Sequence, residues 1–330
     1  MQYRQLGKSE LKLPVVCFGA WAIGGWMWGG TDDDAAVRAI HAAVDNGITC
    51  IDTAPAYGMG HSEAVVGKAI ADRRDRVILA TKCGLRWDVT DGQFYFDTVD
   101  NSNAPKKFYK NLRPDSVRLE CENSLRRLKT DYIDLYQCHW PDPTTSIEDT
   151  MGELLALQRE GKIRAIGVSN FTVEMMQECL SCGRIESDQP RYSALDRKIE
   201  DSILPFCREN QIGVLAYSPI EQGMLSGKVG PDREFNEGDQ RRNKPLFSRE
   251  NRVKVLEMLE SLRPIGEAHN ATFSQLFIAW TVSQPGLTAA LVGARNEAQV
   301  IENAAAGDIV LSETETSTIR DAVESLQLDK

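Results

Sequence analysis

Eight short, continuously apolar runs, each followed by a segment with helical spacing, constrain this chain more than any other feature. They lie at residues 15–19, 48–52, 76–82, 132–139, 164–170, 185–190, 213–219 and 287–293. Strands that alternate apolar and polar residues cover one face of a sheet. Strands that are apolar throughout are buried on both faces, as in a parallel sheet covered by helices. The intervening helical patterns fall at about 32–46, 62–72, 114–128, 147–160, 172–182, 201–210, 251–268 and 273–283, with further helices from Glu297 and from about Ser312. Gly47 and Gly161 supply stops, and Pro114 opens a helix. A doubly wound sheet would need a G-x-G-x-x-G turn after its first strand, and Gly24-Gly25 and Gly29-Gly30 lack that spacing. The pattern therefore predicts an α/β chain folded as a (β/α)8 TIM barrel. It forms one domain over residues 1–330, with no composition shift to mark a boundary. An N-terminal β-hairpin turns near Gly7-Lys8-Ser9, and two long irregular segments, 83–112 and 221–250, are expected as loops on the C-terminal face. The Gly24–Gly30 segment reads as a mobile aromatic loop.

Charge narrows the partners. With 48 acidic and 38 basic residues the net charge is −10, which argues against an extended nucleic-acid or anionic-membrane surface and leaves room for a local phosphate pocket. No run approaches the roughly 18 apolar residues of a membrane span, and residues 1–8 lack a secretory signal's apolar core. The eight cysteines are scattered through apolar runs, and Cys179-x-x-Cys182 has no second pair to complete a zinc site. These features predict a cytoplasmic protein with reduced thiols and no bound metal.

In a barrel of this order, strands 2, 3 and 4 are neighbours, and their C-terminal ends carry Asp52 with Tyr57, Lys82 and His139. A tyrosine ordinarily holds its proton to a pKa of about 10. An ammonium beside it stabilises the phenolate, and a carboxylate holds the ammonium in place. The expected result is a proton donor tuned toward neutral pH, with an imidazole that orients a carbonyl oxygen. Such a set protonates an oxyanion while a carbonyl is reduced. It contains no hydride source, so the chemistry requires a cofactor.

The blocks Ile51-Asp52-Thr53-Ala54-x-x-Tyr57-Gly58, Thr81-Lys82 and Gln137-Cys138-His139-Trp140-Pro141 resemble signature blocks of the aldo-keto reductase superfamily. So do Gly167-Val168-Ser169-Asn170-Phe171, Gln189-Pro190, Ala216-Tyr217-Ser218-Pro219 and Gly293-Ala294-Arg295-x-x-x-Gln299. Arg191-Tyr192-Ser193, His139-Trp140-Pro141-Asp142-Pro143 and Leu225-Ser226-Gly227-Lys228 are similar to the bacterial general-stress and inositol-operon-type reductases. Potassium-channel β-subunits are a related branch. The resemblance implies that Tyr57 is the general acid, tuned by Lys82 and Asp52, and that His139 orients the carbonyl. It implies that Ser169, Asn170 and Gln189 bind a nicotinamide carboxamide and that Tyr217 stacks on the ring. Ser218, Leu225, Gly227 and Lys228 would contact the pyrophosphate under the 221–250 segment. Gly293, Arg295, Gln299 and Asn303 would hold the adenosine end. A guanidinium there suits a 2′-phosphate, which favours NADPH over NADH. Gly19 and Trp21 would join the cofactor and substrate pocket, with Trp21, Trp87 and Trp140 as apolar walls.

The leading expectation is an NADPH-dependent reductase of aldehydes and ketones acting on a small carbonyl substrate as a monomer or weak homo-oligomer. An NADP(H)-binding redox-sensing subunit with slow turnover is the alternative within the same resemblance. A Schiff-base role for Lys82 in an aldolase-type barrel is a third reading.

Overall fold

The computed structural model of the protein, which describes residues 1–329, joins the eight apolar runs into one closed parallel barrel. Its strands are β1 Val16–Gly19, β2 Cys50–Asp52, β3 Ile78–Cys83, β4 Ile133–Cys138, β5 Ile163–Val168, β6 Ser187–Asp188, β7 Gly213–Tyr217 and β8 Leu287–Gly293. Each pairs with its neighbour in sequence, and β8 closes on β1 through Ala290↔Val16 to Gly293↔Gly19. All six residues of β4 are buried, as a strand covered on both faces requires.

The surrounding helices are α1 Asp33–Asp45, α2 His61–Ile70, α3 Pro114–Leu128, α4 Ile147–Arg159, α5 Val173–Cys182, α6 Ile203–Glu209, α7 Arg249–Ser261, α8 Arg263–Ala268, α9 Phe273–Ser283, α10 Glu297–Ala305 and α11 Glu313–Glu324. Their starts follow capping chemistry. Asp32, Ser146 and Thr172 accept backbone N–H bonds at the N-termini of α1, α4 and α5, and Thr272 and Ser312 form full capping boxes. The helical pattern expected over 251–268 is broken after Ser261. Pro264 lacks the N–H a continuous helix would use, so a second helix starts there.

The barrel interior is narrow and is filled by Cys17, Cys50, Ala80, Leu135, Ala165, Leu215, Ala289 and Leu291. The N-terminal hairpin pairs Tyr3–Gln5 with Lys12–Pro14 and adds Leu6 and Leu13 to this cluster. Leu6 lies against Gly213, the first residue of β7, so the hairpin seals the N-terminal end of the barrel. The opposite end is left to the loops. There the 83–112 segment departs from expectation: it forms a three-stranded antiparallel sheet of Leu85–Arg86, Gln93–Val99 and Pro105–Lys110. The 221–250 segment holds three short 3-10 turns, Glu221–Ser226, Gln240–Asn243 and Pro245–Phe247. No helix among the described residues is long and apolar enough to cross a membrane.

Candidate active site

Asp52 ends β2, and the turn that follows carries Tyr57 back over the barrel mouth. Backbone contact determines that turn. Gly58 has φ +64°, and a Cβ there would lie 2.3 Å from the carbonyl oxygen of Gly24, while a Cβ on Gly24 would lie 2.7 Å from the carbonyl carbon of Tyr57. Only glycines permit this approach, which presses the first loop onto the tyrosine. Behind the turn, Ser62 donates to the carbonyl of Ala20 at 2.8 Å. Glu63, fully buried, accepts from Thr81 at 2.6 Å and from Arg127 at 2.6 Å. α2 is thereby tied to β3, the strand that bears Lys82.

The four residues expected from sequence come together. Lys82 Nζ, fully buried, donates to Asp52 Oδ2 at 2.6 Å, to the Thr53 carbonyl at 2.9 Å and to the Tyr57 hydroxyl at 3.2 Å. The other Asp52 oxygen accepts from Gln189 Nε2 at 2.8 Å and from Gln137 Nε2 at 3.3 Å. The carboxylate therefore has donors on both oxygens, the condition under which a buried ion pair is tolerated. The His139 ring stands edge-on to the Tyr57 ring, at 83° and 5.7 Å between centroids.

Burial and charge set the protonation states. Burial pulls the Lys82 ammonium down, but Asp52 and then Tyr57 outweigh it, and its pKa lies above the ordinary lysine value. Burial, reinforced by the nearby Lys82 charge, pushes His139 well below an ordinary histidine, so its ring is neutral at pH 7. Tyr57 corrects the sequence expectation. Burial raises its pKa more than the Lys82 ammonium lowers it, with Asp52 adding to the rise. The phenol thus keeps its proton through neutral pH. In this site Lys82 limits an upward shift rather than producing a downward one.

A second group lies on the neighbouring strand ends. Asn170, in the left-handed region at φ +62°, donates to the His139 carbonyl at 3.2 Å and to Ser169 Oγ at 3.0 Å, and it accepts from the Tyr217 hydroxyl at 3.0 Å. Ser169 Oγ donates to the Gln189 carbonyl at 2.7 Å. Ser169, Asn170, Gln189 and Tyr217 are therefore linked to one another and, through Asn170 and Gln189, to His139 and Asp52. The Gln189 amide nitrogen is held by Asp52, which leaves its Oε1 as the acceptor for an outside donor.

The expected adenosine-end residues also gather. Gln299 Oε1 accepts from the Arg295 N–H at 2.8 Å, and Asn303 donates to the Gly293 carbonyl at 3.3 Å. Gly19 pairs with both Asp52 and Gly293, placing β1 between the strand that bears the tetrad aspartate and the strand that ends at the Arg295 turn. Of the pyrophosphate set, Ser218 and Gly227 take positive φ, and Gly227 packs its open face against Phe273, where a Cβ would lie at 2.8 Å. Leu225 is fully buried. Lys228 is engaged elsewhere, in an ion pair with Glu302 at 2.7 Å.

Several residues of this face escaped the sequence reading. Gln137 supports Asp52; its signal was the strand period of two that places it on the same face as His139. Arg241 and Lys244 lie in the 221–250 segment. Among the described residues Lys244 Nζ bonds only the amide oxygens of Gln222 and Gln240, and burial with the neighbouring Arg191 and Arg241 charges lowers its pKa to about 8. Trp28 brings the first loop to the same place. Its carbonyl accepts from Arg295 Nη2 at 2.6 Å, and its ring lies under the Arg241 and Arg295 guanidiniums, at 5.1 and 5.5 Å. Trp28 also meets Trp21 edge-on at 5.4 Å, and Trp21 stacks on Tyr57 at 6.1 Å. On its other side the loop is held by Trp26, stacked on Phe108 at 5.1 Å. The segment expected to be mobile is thus packed on both flanks.

The two groups together offer the donors and charge that a dinucleotide would need. At one end sits a carboxamide-type donor–acceptor set beside the tetrad. At the other lie Arg241, Lys244 and Arg295, with Asp239 acting on Arg295 and paired with Arg241 at 2.6 Å. A cavity of about 260 Å³ opens beside Arg295, lined also by Ile23, Gly30, Thr31, Asp32 and Ala36.

Known proteins share the sequence and the fold of this chain. The profile of the Aldo/keto reductase family matches residues 15–324. An NADH-specific methylglyoxal reductase of Escherichia coli strain K12 is 40% identical over 328 residues, 98% of each chain. The aldo-keto reductase YhdN of Bacillus subtilis is 39% identical over 303 residues, 91% of this chain and 87% of its own. Among solved structures, the glycerol dehydrogenase AKR11B4 of Gluconobacter oxydans superposes with a TM-score of 0.87 at 39% identity, covering 97% of this chain and 94% of its own. An aldo/keto reductase of Klebsiella pneumoniae, solved in complex with NADP and acetate, gives a TM-score of 0.71 at 30% identity, covering 97% and 96%. With the barrel, the buried Lys82–Asp52 pair and the matched profile all in register, this chain belongs to the aldo/keto reductase family.

Proposed function

We propose that the chain acts as one barrel unit reducing aldehydes and ketones to alcohols with NADPH, with Tyr57 as the proton donor. The observation that carries the reading is the Lys82 ammonium bonded at once to Asp52 and to the Tyr57 hydroxyl, beside a neutral His139. The nicotinamide, when bound, supplies the hydride. The chain's own residues do the rest. Neutral His139 donates a hydrogen bond to the carbonyl oxygen and orients it without competing for the Tyr57 proton. Tyr57 delivers that proton to the same oxygen as negative charge develops on it. Lys82 stabilises the phenolate that remains, and Asp52, held by Gln137 and Gln189, keeps the ammonium in place. Trp21 and the rim aromatics exclude water from the step.

Ser169, Asn170 and the Gln189 Oε1 bind the carboxamide, and Tyr217 packs on the ring. Ser218, Leu225, Gly227 and Lys228 line the pyrophosphate path; Arg241 and Lys244 supply charge there that Lys228, paired with Glu302, supplies less freely. Gly19, Gly293, Arg295, Gln299 and Asn303 hold the adenosine end. Arg295 spends one nitrogen on Trp28 and keeps others for a 2′-phosphate, which supports NADPH.

Tyr57→Phe tests the reading. Carbonyl reduction falls by roughly 10²- to 10⁴-fold, the usual worth of a general acid, while NADPH still quenches tryptophan fluorescence with near-unchanged affinity. Retained turnover overturns the assignment.

A further inference from the structure

Lys110, the last residue of the central strand in the rim sheet, holds its ammonium 4.6 Å from the Tyr95 ring centroid and 5.5 Å from that of Trp140. No carboxylate among the described residues forms an ion pair with it. Asp142, the acid that acts on it, has both oxygens occupied. Oδ1 accepts from the Thr144 N–H and hydroxyl, and Oδ2 from the Leu112 N–H and the Thr145 hydroxyl. Partial burial lowers the Lys110 pKa, and the Asp142 charge offsets only part of that shift. The two rings beneath it belong to the site. Trp140 follows His139 in the chain, and the Tyr95 ring lies tilted against Trp140 at 5.5 Å between centroids. Both rings pack in one cluster with Tyr57 and Trp87.

We propose that Lys110 is a specificity-determining cation of the substrate pocket, selecting carbonyl compounds that carry an anionic group, a carboxylate or a phosphate monoester. Ring faces attract an ammonium without neutralising it. They hold Lys110 in place with its charge still available, against apolar walls that strengthen its pull on an anion. A hydrogen bond to a charged group is worth roughly ten- to hundredfold in affinity.

This rests on the reductase reading, so the test uses matched substrates. We compare 4-carboxybenzaldehyde with methyl 4-formylbenzoate, and glyceraldehyde 3-phosphate with glyceraldehyde, in the wild type, Lys110→Met and Lys110→Arg. Methionine keeps the apolar stem against the rings. The expected wild-type preference in kcat/KM is roughly tenfold or more for the anionic member of at least one pair. That preference falls about tenfold in Lys110→Met, persists in Lys110→Arg, and shrinks in the wild type as salt rises from about 50 to about 500 mM. The two pairs tell a carboxylate site from a phosphate site. A wild type with no preference in either pair, or a preference untouched by both Lys110→Met and salt, overturns the proposal. If no aldehyde is reduced at all, the reductase reading falls instead. Quenching of tryptophan fluorescence by benzoate against benzamide, in the wild type and Lys110→Met, then still decides whether Lys110 binds an anion.

Discussion

Lys82→Met separates a catalytic lysine from a merely structural one. In the native site the buried ammonium has three acceptors, Asp52 at 2.6 Å and the Thr53 carbonyl at 2.9 Å, both out of solvent, and the part-buried Tyr57 hydroxyl at 3.2 Å. Removing one member of a buried ion pair costs about 3–5 kcal/mol, because the other charge is left uncompensated. Here Asp52 keeps its bonds from Gln137 and Gln189, so the cost falls at the low end, about 3 kcal/mol. Lys82 has its pKa raised in the folded state. Its stabilisation is therefore fully present below the unfolded lysine pKa and is lost only as pH rises through the folded one, so the deficit of the variant is constant across pH 6–9. The catalytic effect is separate. Without Lys82, Tyr57 loses the only influence that lowers its pKa, and burial and Asp52 act unopposed. Proton donation weakens, and kcat falls by roughly 10²- to 10⁴-fold. The assay is steady-state reduction of an aldehyde alongside urea denaturation and NADPH titration by tryptophan quenching. A folded, cofactor-binding variant with kcat within about fivefold of the wild type would falsify the proton-donor account.

Two further outcomes follow from other parts of the face. Arg295→Ala weakens NADPH binding by roughly tenfold or more, as expected for a lost charged contact, and leaves NADH binding nearly unchanged; fluorescence titration of both nucleotides checks this, and equal losses for the two would remove Arg295 from the 2′-phosphate. Asp188, next to Gln189 on β6, is buried beside the backbone N–H groups of Phe171 and Gln189 without reaching hydrogen-bond geometry to either, and burial pushes its pKa up to about 8. Between the unfolded value near 4 and that folded value, the native state holds a proton that the unfolded state releases, so stability falls as pH rises, by up to about 1.4 kcal/mol per unit. Asp188→Asn therefore gains on the wild type in Tm as pH goes from 4.5 to 8, and a difference that stays flat with pH refutes the buried acid.

The barrel and the tetrad were legible in the sequence because both are written in short-range pattern. A strand buried on two faces is an unbroken apolar run, and each group of the proposed catalytic set outside the Tyr57 turn stands at the C-terminal end of such a run: Asp52, Lys82 and His139. Once the strands are ordered by sequence, their neighbourhood follows without further information. The rim sheet was hidden because its strand Gln93–Val99 faces solvent and bulges between Phe94 and Phe96, which destroys the period of two. Arg295 and Trp28 are separated by 267 residues, and no local pattern reports that they meet.

Tertiary structure alone decided the magnitudes. The sequence determined that Tyr57 has an ammonium and a carboxylate nearby, but the sign of its pKa shift is a contest between those charges and desolvation, and desolvation depends on the Trp21, Gly24 and Gly58 contacts that close over it. Gln189 was singled out only by the family resemblance, and only the folded barrel brings its amide to Asp52. Residue identity sets which chemistry is available. Burial, which is a property of the whole packed chain, sets how strongly each charge is felt.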